Sequence, residues 1–399
     1  VSVALHVAAV VTHPTAPLDL RVYREASPHV LSGGLYDYAL HTGPPIPLLP
    51  FTYPPFAALV FLAPARLPWT ALVVLWQTAS VAALLVVAGC AVRLLPPGPG
   101  RRRRDLALLW AAVGLWLEPV RHTLDQGQVN LLLGAVVIAG LTLPRAAAGR
   151  GAAVGLAAAV KLTPAVAGLY LLATRQWRAA AWSVVAGAAA TALGWWVAPR
   201  ESARYWSELV TDTRRLGLVW SVRNQSLCGA LSRFLGENAT ASLTWWAAVV
   251  LVTLLAVHAL RTAAARRDPL GVLVAAELYG LLVCPVSWSH HWIWCLPAMI
   301  WLVHGPHRQR PLSRVTLAAW ALATGARLVP LLIRVEDHLA HPSPYPALLA
   351  WPGCVYAVCA LVTLSALALG PARHGEHLGA PGAARPRTAV DGSLPARPG

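Results

Sequence analysis

Between Pro68 and Leu369 the chain returns again and again to an apolar run: about Pro68 to Leu95, Leu106 to His122, Val129 to Leu143, Trp177 to Ala198, Leu243 to Leu260, Leu270 to Pro285, His291 to Val303, Val315 to Ile333 and Ala347 to Leu369. A helix needs about 20 apolar residues to cross a hydrocarbon layer of ~30 Å, and tilt and flanking Trp bring these runs within reach. Lipid offers no partner to backbone N–H and C=O groups, so such runs cross as closed helices. Composition excludes the soluble alternative: 12% of residues are charged and mean hydropathy is +0.56, against about 25% charged in soluble domains. The sequence predicts an all-α polytopic membrane protein, with about 10–12 transmembrane helices once weaker segments are included.

Gly151 to Ala173 breaks the pattern, because Lys161, Thr163 and Pro164 interrupt its middle. Two half-length helices that enter and return would place Lys161 in a cavity or at the far surface, where a charge is tolerated. Reading it as a hairpin gathers Arg93, Arg101 to Arg104, Arg145, Arg150, Arg175, Arg178, Arg261, Arg266, Arg267, Arg308, Arg310, Arg314 and the arginines from Arg373 onward on one side. That side is expected to be the cytoplasm. The excess of 32 Lys and Arg over 16 Asp and Glu therefore sets orientation in the bilayer and does not indicate a nucleic-acid partner. A single crossing would reverse every later loop.

Val1 to Val11 is too short to cross and is expected to be the end of a first span truncated at the N-terminus. Residues 1–370 form one membrane domain in this reading, and 371–399, rich in Pro, Gly, Ala and Arg, a disordered cytoplasmic tail. The six cysteines make no C-x-x-C pair and read as small core hydrophobes, not a metal site.

Chemistry collects in the loops of the other side. Asp19 follows Pro17 at the start of a helix, with Tyr23 one turn later on the same face. It can serve as a helix cap or as a base for a bound hydroxyl. Pro50-Phe51-Thr52-Tyr53-Pro54-Pro55-Phe56 suits interfacial anchoring or sugar stacking. Gln128 and Asn130 enter an apolar run and need hydrogen-bond partners, which suggests a polar site. Trp206, Leu209, Val210 and Leu216 share helical spacing, opposite Glu208, Asp212, Arg214 and Arg215, as in an amphipathic helix lying on the membrane. Ser221 to Ser226, with Arg223, Asn224 and Gln225, offers many donors for a phosphate or a sugar. His290 and His291 adjoin in a tight turn. Successive helical residues point about 100° apart and no third ligand has matching spacing, so zinc is not expected. The sequons at Asn224 and Asn238 read as chance matches.

Taken together, Asp19-Leu20-Arg21-Val22-Tyr23, Phe51-Thr52-Tyr53-Pro54-Pro55-Phe56, Gly127-Gln128-Val129-Asn130, Lys161-Leu162-Thr163-Pro164, Arg223-Asn224-Gln225-Ser226 and Ser287-Trp288-Ser289-His290-His291-Trp292 resemble glycosyltransferase family 87. Members of that family are actinobacterial membrane mannosyltransferases using polyprenyl-phosphate-mannose. The resemblance implies a GT-C membrane fold with a half-length hairpin, interfacial helices on the outer face and an active site at the outer leaflet. It also implies an inverting transfer of mannose that forms an α-1,2 linkage on a glycolipid or lipoglycan acceptor, and Asp19 as catalytic base. Leu20 and Arg21 follow Asp19, so the double-acid pattern of metal-dependent relatives is missing and no metal or cofactor is expected. Lys161, Arg223, His290 and His291 are the candidates for the donor phosphate. Tyr23, Tyr53, Gln128, Asn130, Asn224 and Gln225 are the candidates for substrate contact. The alternatives are a transferase of arabinose or glucose from a polyprenyl phosphate, and a transporter or flippase. The latter predicts interrupted helices at matching places in two halves, whereas one interrupted segment is evident.

Overall fold

The computed structural model describes residues 17–43, 48–96, 100–142, 146–236, 242–339 and 345–369. Val1 to Val11, the Asn238 sequon and the tail 371–399 lie outside them. The fold is helical apart from one antiparallel pair of two-residue strands, β1 (Ala39–Leu40) and β2 (Leu49–Pro50). The helices used below are α1 (Leu18–Ala26), α2 (Pro55–Ala65), α3 (Trp69–Arg93), α4 (Gly100–Gly114), α5 (Glu118–Gln126), α6 (Asn130–Thr142), α7 (Ala147–Val160) and α8 (Gly168–Ala173). The remainder are α9 (Trp177–Val197), α10 (Leu227–Leu235), α11 (Leu243–Ala265), α12 (Pro269–Val283), α13 (Cys295–His304), α14 (Pro311–Gly325), α15 (Leu328–Glu336) and α16 (Val355–Ala368). The cysteines among them are all unpaired, and five are buried.

Four described helical stretches are long and apolar enough to cross a bilayer: Trp69–Arg93, Trp177–Val197, Leu243–Ala265 and Ala347–Ala368. Two bent pairs, α5 with α6 and α14 with α15, raise this to six. The 10–12 crossings expected from apolar runs are not reached by that measure, because several runs fold as shorter pieces. Leu106 to His122 is not one span: α4 ends at Gly114, and Glu118-Pro119 starts a separate helix with Pro in its first turn, where the missing N–H costs nothing. Val315 to Ile333 is broken at Ala326-Arg327, where the axis bends by 50°. His291 to Val303 begins as a 3-10 turn, Ser289–Trp294, and becomes α-helical only at Cys295. The amphipathic helix expected through Trp206 and Leu216 is instead a π turn, Tyr205–Leu209, and a 3-10 turn, Thr213–Leu216.

The interrupted segment is a hairpin, as expected. Helix α7 stops at Lys161, whose backbone is extended, and Pro164 sits in the first turn of the 3-10 piece that leads into α8. Its two ends meet again: Arg150 Nη1 donates to Gln176 Oε1 at 2.7 Å. Arg266 donates to Leu369 O at 2.8 Å and bonds His307, joining the end of α11 to the end of α16 and to the turn after α13. The hairpin is fastened to α9, which runs parallel to α7 in close contact. A Cβ on Gly151 would lie 2.6 Å from Trp182 Cβ, and one on Gly155 would overlap the Ser183 carbonyl. Backbone-to-backbone approach through small residues is the usual way helices associate where lipid removes the hydrophobic drive.

Helix α13 has ten residues, about 15 Å of rise, or roughly half the hydrocarbon thickness. The 3-10 turn Ser289–Trp294 that carries the histidines leads straight into it.

Gly155→Val is expected to lower the stability of detergent-solubilised protein by about 1–3 kcal/mol, because the helices must separate. Gly168→Ala, where a Cβ meets nothing within 4 Å, is expected to be neutral or to gain up to ~1 kcal/mol. Thermal melts of the two variants check both.

Candidate functional site

Helix α5 ends at Gly127, whose φ of +67° turns the chain into α6. A side chain there would be strained by that backbone and would also strike Leu20, with a Cβ 2.6 Å from Leu20 Cβ. Helix α1 uses that space, which brings Asp19 over Gln128. Asp19 Oδ2 accepts from Gln128 Nε2 at 2.7 Å, while the cap position, Pro17, makes no side-chain hydrogen bond. The hydroxyls of Tyr23 and Tyr53 lie 2.9 and 3.1 Å from Gln128 Oε1 and 2.8 Å from each other. Two phenols on the amide oxygen leave its NH2 to face the carboxylate. Both tyrosines are buried, so they orient Gln128 instead of meeting a substrate through free hydroxyls. Burial raises the Asp19 pKa above the usual carboxylate range, opposed by the Gln128 hydrogen bond and then by the positive fields of Lys161 and His122.

Lys161 comes to the same place from the hairpin tip. Its Nζ donates to Asn130 Oδ1 at 2.7 Å and lies 3.2 Å from His291 Nε2 and 5.4 Å from the Tyr53 ring centre. Among the described residues no carboxylate stands within 4.0 Å of it. Asn130 passes the contact on, its Nδ2 donating to His290 O at 2.9 Å beside Thr123 Oγ1 at 2.8 Å. Among the described residues, both ring nitrogens of buried His290, and Nδ1 of His291, have no hydrogen-bond partner. Beside this cluster lies a cavity of ≈ 300 Å³ lined by Asn130, Lys161 and His291, by Leu133, Val137, Val166, Leu281 and Ile293, and by buried Glu277.

Three other candidates are placed elsewhere. Arg223 is held bidentately by Asp337 at 2.8 Å, with Glu336 at 3.4 Å, so its charge is matched by carboxylates on and next to α15. Asn224 donates to Val219 O and Pro285 O and accepts from the N–H groups of Ser226 and Ser287. Gln225 donates to Val222 O and Gly353 O and accepts from Tyr356 N. Both are fully buried. They brace the loop that holds the histidine turn: the Asn224 amide uses all four of its hydrogen-bonding positions and the Gln225 amide three of four. The brace is an antiparallel bridge between Asn224 and Trp288, with Gln225 N on Ser287 O and Ser289 N on Arg223 O, each at 2.9 Å.

Two residues at the site have no assigned role in the sequence reading. Glu118, 1% exposed, accepts from Tyr356 OH at 2.6 Å and Ser289 Oγ at 2.9 Å. His122, one turn on, stacks edge-on against His290 with ring centres 5.0 Å apart. The available signal was Glu118-Pro119, a helix-start pair inside an apolar run. Among the described residues no group of His, Cys, Asp and Glu has the geometry of a metal site.

Asn224→Ala takes the side-chain partner from Val219 O, Ser226 N and Ser287 N, whereas Pro285 O keeps Ser226 Oγ; a buried group left unsatisfied costs about 1–3 kcal/mol. The substitution is expected to lower thermal stability and expression, and lost activity in proportion to lost folded protein would distinguish a brace from a substrate contact.

The sequence matches glycosyltransferase family 87 over residues 51–287. It is 40% identical over 84% of its length, and 81% of the relative's, to the polyprenol-phosphate-mannose-dependent α-(1-2)-phosphatidylinositol pentamannoside mannosyltransferase of Mycolicibacterium smegmatis. It is 35% identical, over 78% of its length and 76% of the relative's, to the α-(1-2)-phosphatidylinositol mannoside mannosyltransferase of Mycobacterium tuberculosis. Among solved structures, ArnT from Cupriavidus metallidurans bound to undecaprenyl phosphate aligns over 92% of this chain and 77% of its own, at 16% identity and a TM-score of 0.37. With the family match over more than half its length and that degree of identity, the chain belongs to glycosyltransferase family 87, as a multi-pass, all-helical membrane glycosyltransferase.

Proposed function

We propose that the protein transfers a mannosyl residue from polyprenyl-phosphate-mannose to a hydroxyl of a phosphatidylinositol-mannoside-type glycolipid, with inversion and an α-1,2 linkage, on the extracytoplasmic side. The observation that carries the reading is the gathering of Asp19, Lys161 and His291 beside a mostly apolar cavity: a base, a cation with no carboxylate within 4.0 Å among the described residues, and a slot for an isoprenoid. The donor and linkage follow the names of the relatives.

In this reading the donor's first isoprene units occupy the cavity and its phosphate sits at Lys161 and His291. The acceptor oxygen attacks the anomeric carbon from the side of Asp19 and forms the new C–O bond as its proton passes to the carboxylate. The bond from the anomeric carbon to the phosphate oxygen breaks, and the phosphate keeps the electron pair. Lys161 stabilises that charge by a charge-assisted hydrogen bond in a water-poor recess. A phosphate is already a good leaving group, so no acid is needed on it. The raised Asp19 pKa suits a group that must take a proton in one step and lose it in the next. His290, beside His291, is placed to orient that ring. Arg223 acts at one remove, by holding its loop to α15. Arabinose or glucose in place of mannose is the alternative for the same machinery.

Asp19→Asn keeps size and hydrogen bonding while removing the base, and is expected to lower turnover by about 10²-fold or more with folding intact. Wild-type transfer should fall as pH drops through the Asp19 pKa, with the midpoint above the ordinary Asp value of 3.8. Both are measured by transfer of labelled mannose from polyprenyl-phosphate-mannose to glycolipid acceptors. Near-normal rates in the Asn variant reject the base.

For the face, a single cysteine replacing Arg266 should resist an impermeant thiol reagent in intact cells, in a cysteine-free background. One replacing exposed Arg200 should react; the opposite pattern reverses the orientation.

A further inference from the structure

His122 has a bonding pattern that fixes where its proton lies. Ser289 Oγ donates its one hydrogen to Glu118 Oε1 at 2.9 Å and stands 2.8 Å from His122 Nδ1. A hydroxyl that has given its hydrogen away can only accept, so the imidazole carries its proton on Nδ1. Glu118 Oε1 is itself 3.4 Å from Nδ1, and Tyr356 OH holds Oε2 at 2.6 Å. The other nitrogen, Nε2, is left with a lone pair. Its neighbour is Gln126 Nε2 at 3.4 Å, an NH2 group that can only donate. The side chain is 25% exposed, whereas His290 beside it is 7% exposed. His291 is also partly exposed, but its Nε2 lone pair faces the Lys161 ammonium at 3.2 Å; His122 is the partly exposed imidazole here whose lone pair faces only a neutral amide.

We infer that His122 carries the proton out of the site: after transfer, protonated Asp19 returns its proton through water to His122 Nε2, and the imidazolium releases it to the solution. Glu118 and Ser289 act as positioning residues that hold the Nδ1–H tautomer and balance the transient charge. The step is closed in protons. The acceptor hydroxyl loses one, Asp19 takes and returns it, and His122 ends neutral with its Nε2 lone pair restored. The charged and titratable groups around the ring are Glu118, Arg121 and Asp125 on its own helix, His290 on the facing turn, Tyr356 behind Glu118, and Lys161 and Asp19 across the recess. The inference rests on Asp19 being the base.

The test uses full-length protein in lipid nanodiscs, with rates measured against donor concentration for wild type, His122→Asn, Ser289→Ala and Asp19→Asn. His122→Asn should lower kcat by about 10- to 100-fold, with donor KM within about twofold. Added imidazole should restore about tenfold, since the position is open to solution, and should do nothing for Asp19→Asn. Ser289→Ala should fall between the two and gain less from imidazole. A raised donor KM at unchanged kcat would make His122 a phosphate contact and overturn the relay, as would full activity or a loss that imidazole does not touch. His122→Gln is the second variant if the Asn protein is unstable. Full activity in Asp19→Asn overturns the base on which the relay depends. A wild type inert with every polyprenyl-phosphate sugar removes the transfer reading and the relay with it.

Discussion

The organisation of the site depends on a lysine ammonium held only by neutral groups. Lys161 Nζ meets an amide oxygen and an imidazole nitrogen, and among the described residues no carboxylate comes within 4.0 Å. A buried charge so placed costs several kcal/mol of desolvation that dipoles return only in part. The geometry around it is the means of bearing that cost. Asn130 is locked by the His290 carbonyl, that carbonyl is shared with Thr123, and the histidine turn is sewn to the loop 221–226 by backbone hydrogen bonds. In the proposed mechanism the donor phosphate at Lys161 would supply the charge that the protein withholds, which would link the stability of the site to donor binding.

The carboxylates have been put elsewhere. Glu336, 5% exposed, takes Ser221 Oγ, Val222 N, Tyr345 OH and Arg223, while buried Arg233 donates to carbonyls of Trp220, Ser221, Asn224 and Gly353. One acid and one base, each satisfied mainly by neutral partners, clamp the same loop from two sides. The loop is irregular, buried backbone, and such backbone persists where protein groups answer its N–H and C=O groups. Function at Lys161 and rigidity at Arg223 use the same residue chemistry with opposite charge balance.

Much of this was legible in the sequence where polarity breaks an apolar run. Lys161, Gln128 and Asn130 stood out because apolar surroundings make their side chains costly, and the arginine bias fixed the sense of the hairpin that Arg150 and Gln176 close. What hid was set by distance along the chain. Arg223 read as a phosphate ligand because its partners lie 113 and 114 residues away. Asn224 and Gln225 read as free donors because the carbonyls they serve are at Pro285 and Gly353. Glu118 and His122 were masked by hydrophobic neighbours that made a broken segment look continuous. The split of the amphipathic stretch after Pro199 also escaped, since spacing cannot tell an α turn from π and 3-10 turns that alternate.

The contact between α7 and α9 constrains how the protein can move. At Gly151 and Gly155 the two backbones touch with no side chain between them, so the hairpin cannot slide or rotate against α9 without opening a gap along both. The tip that carries Lys161 is thus a fixed post rather than a gate. In the proposed reading a long-chain donor would pass around it, and any motion that admits or releases substrate would fall to the segments that face the hairpin and not to the hairpin itself.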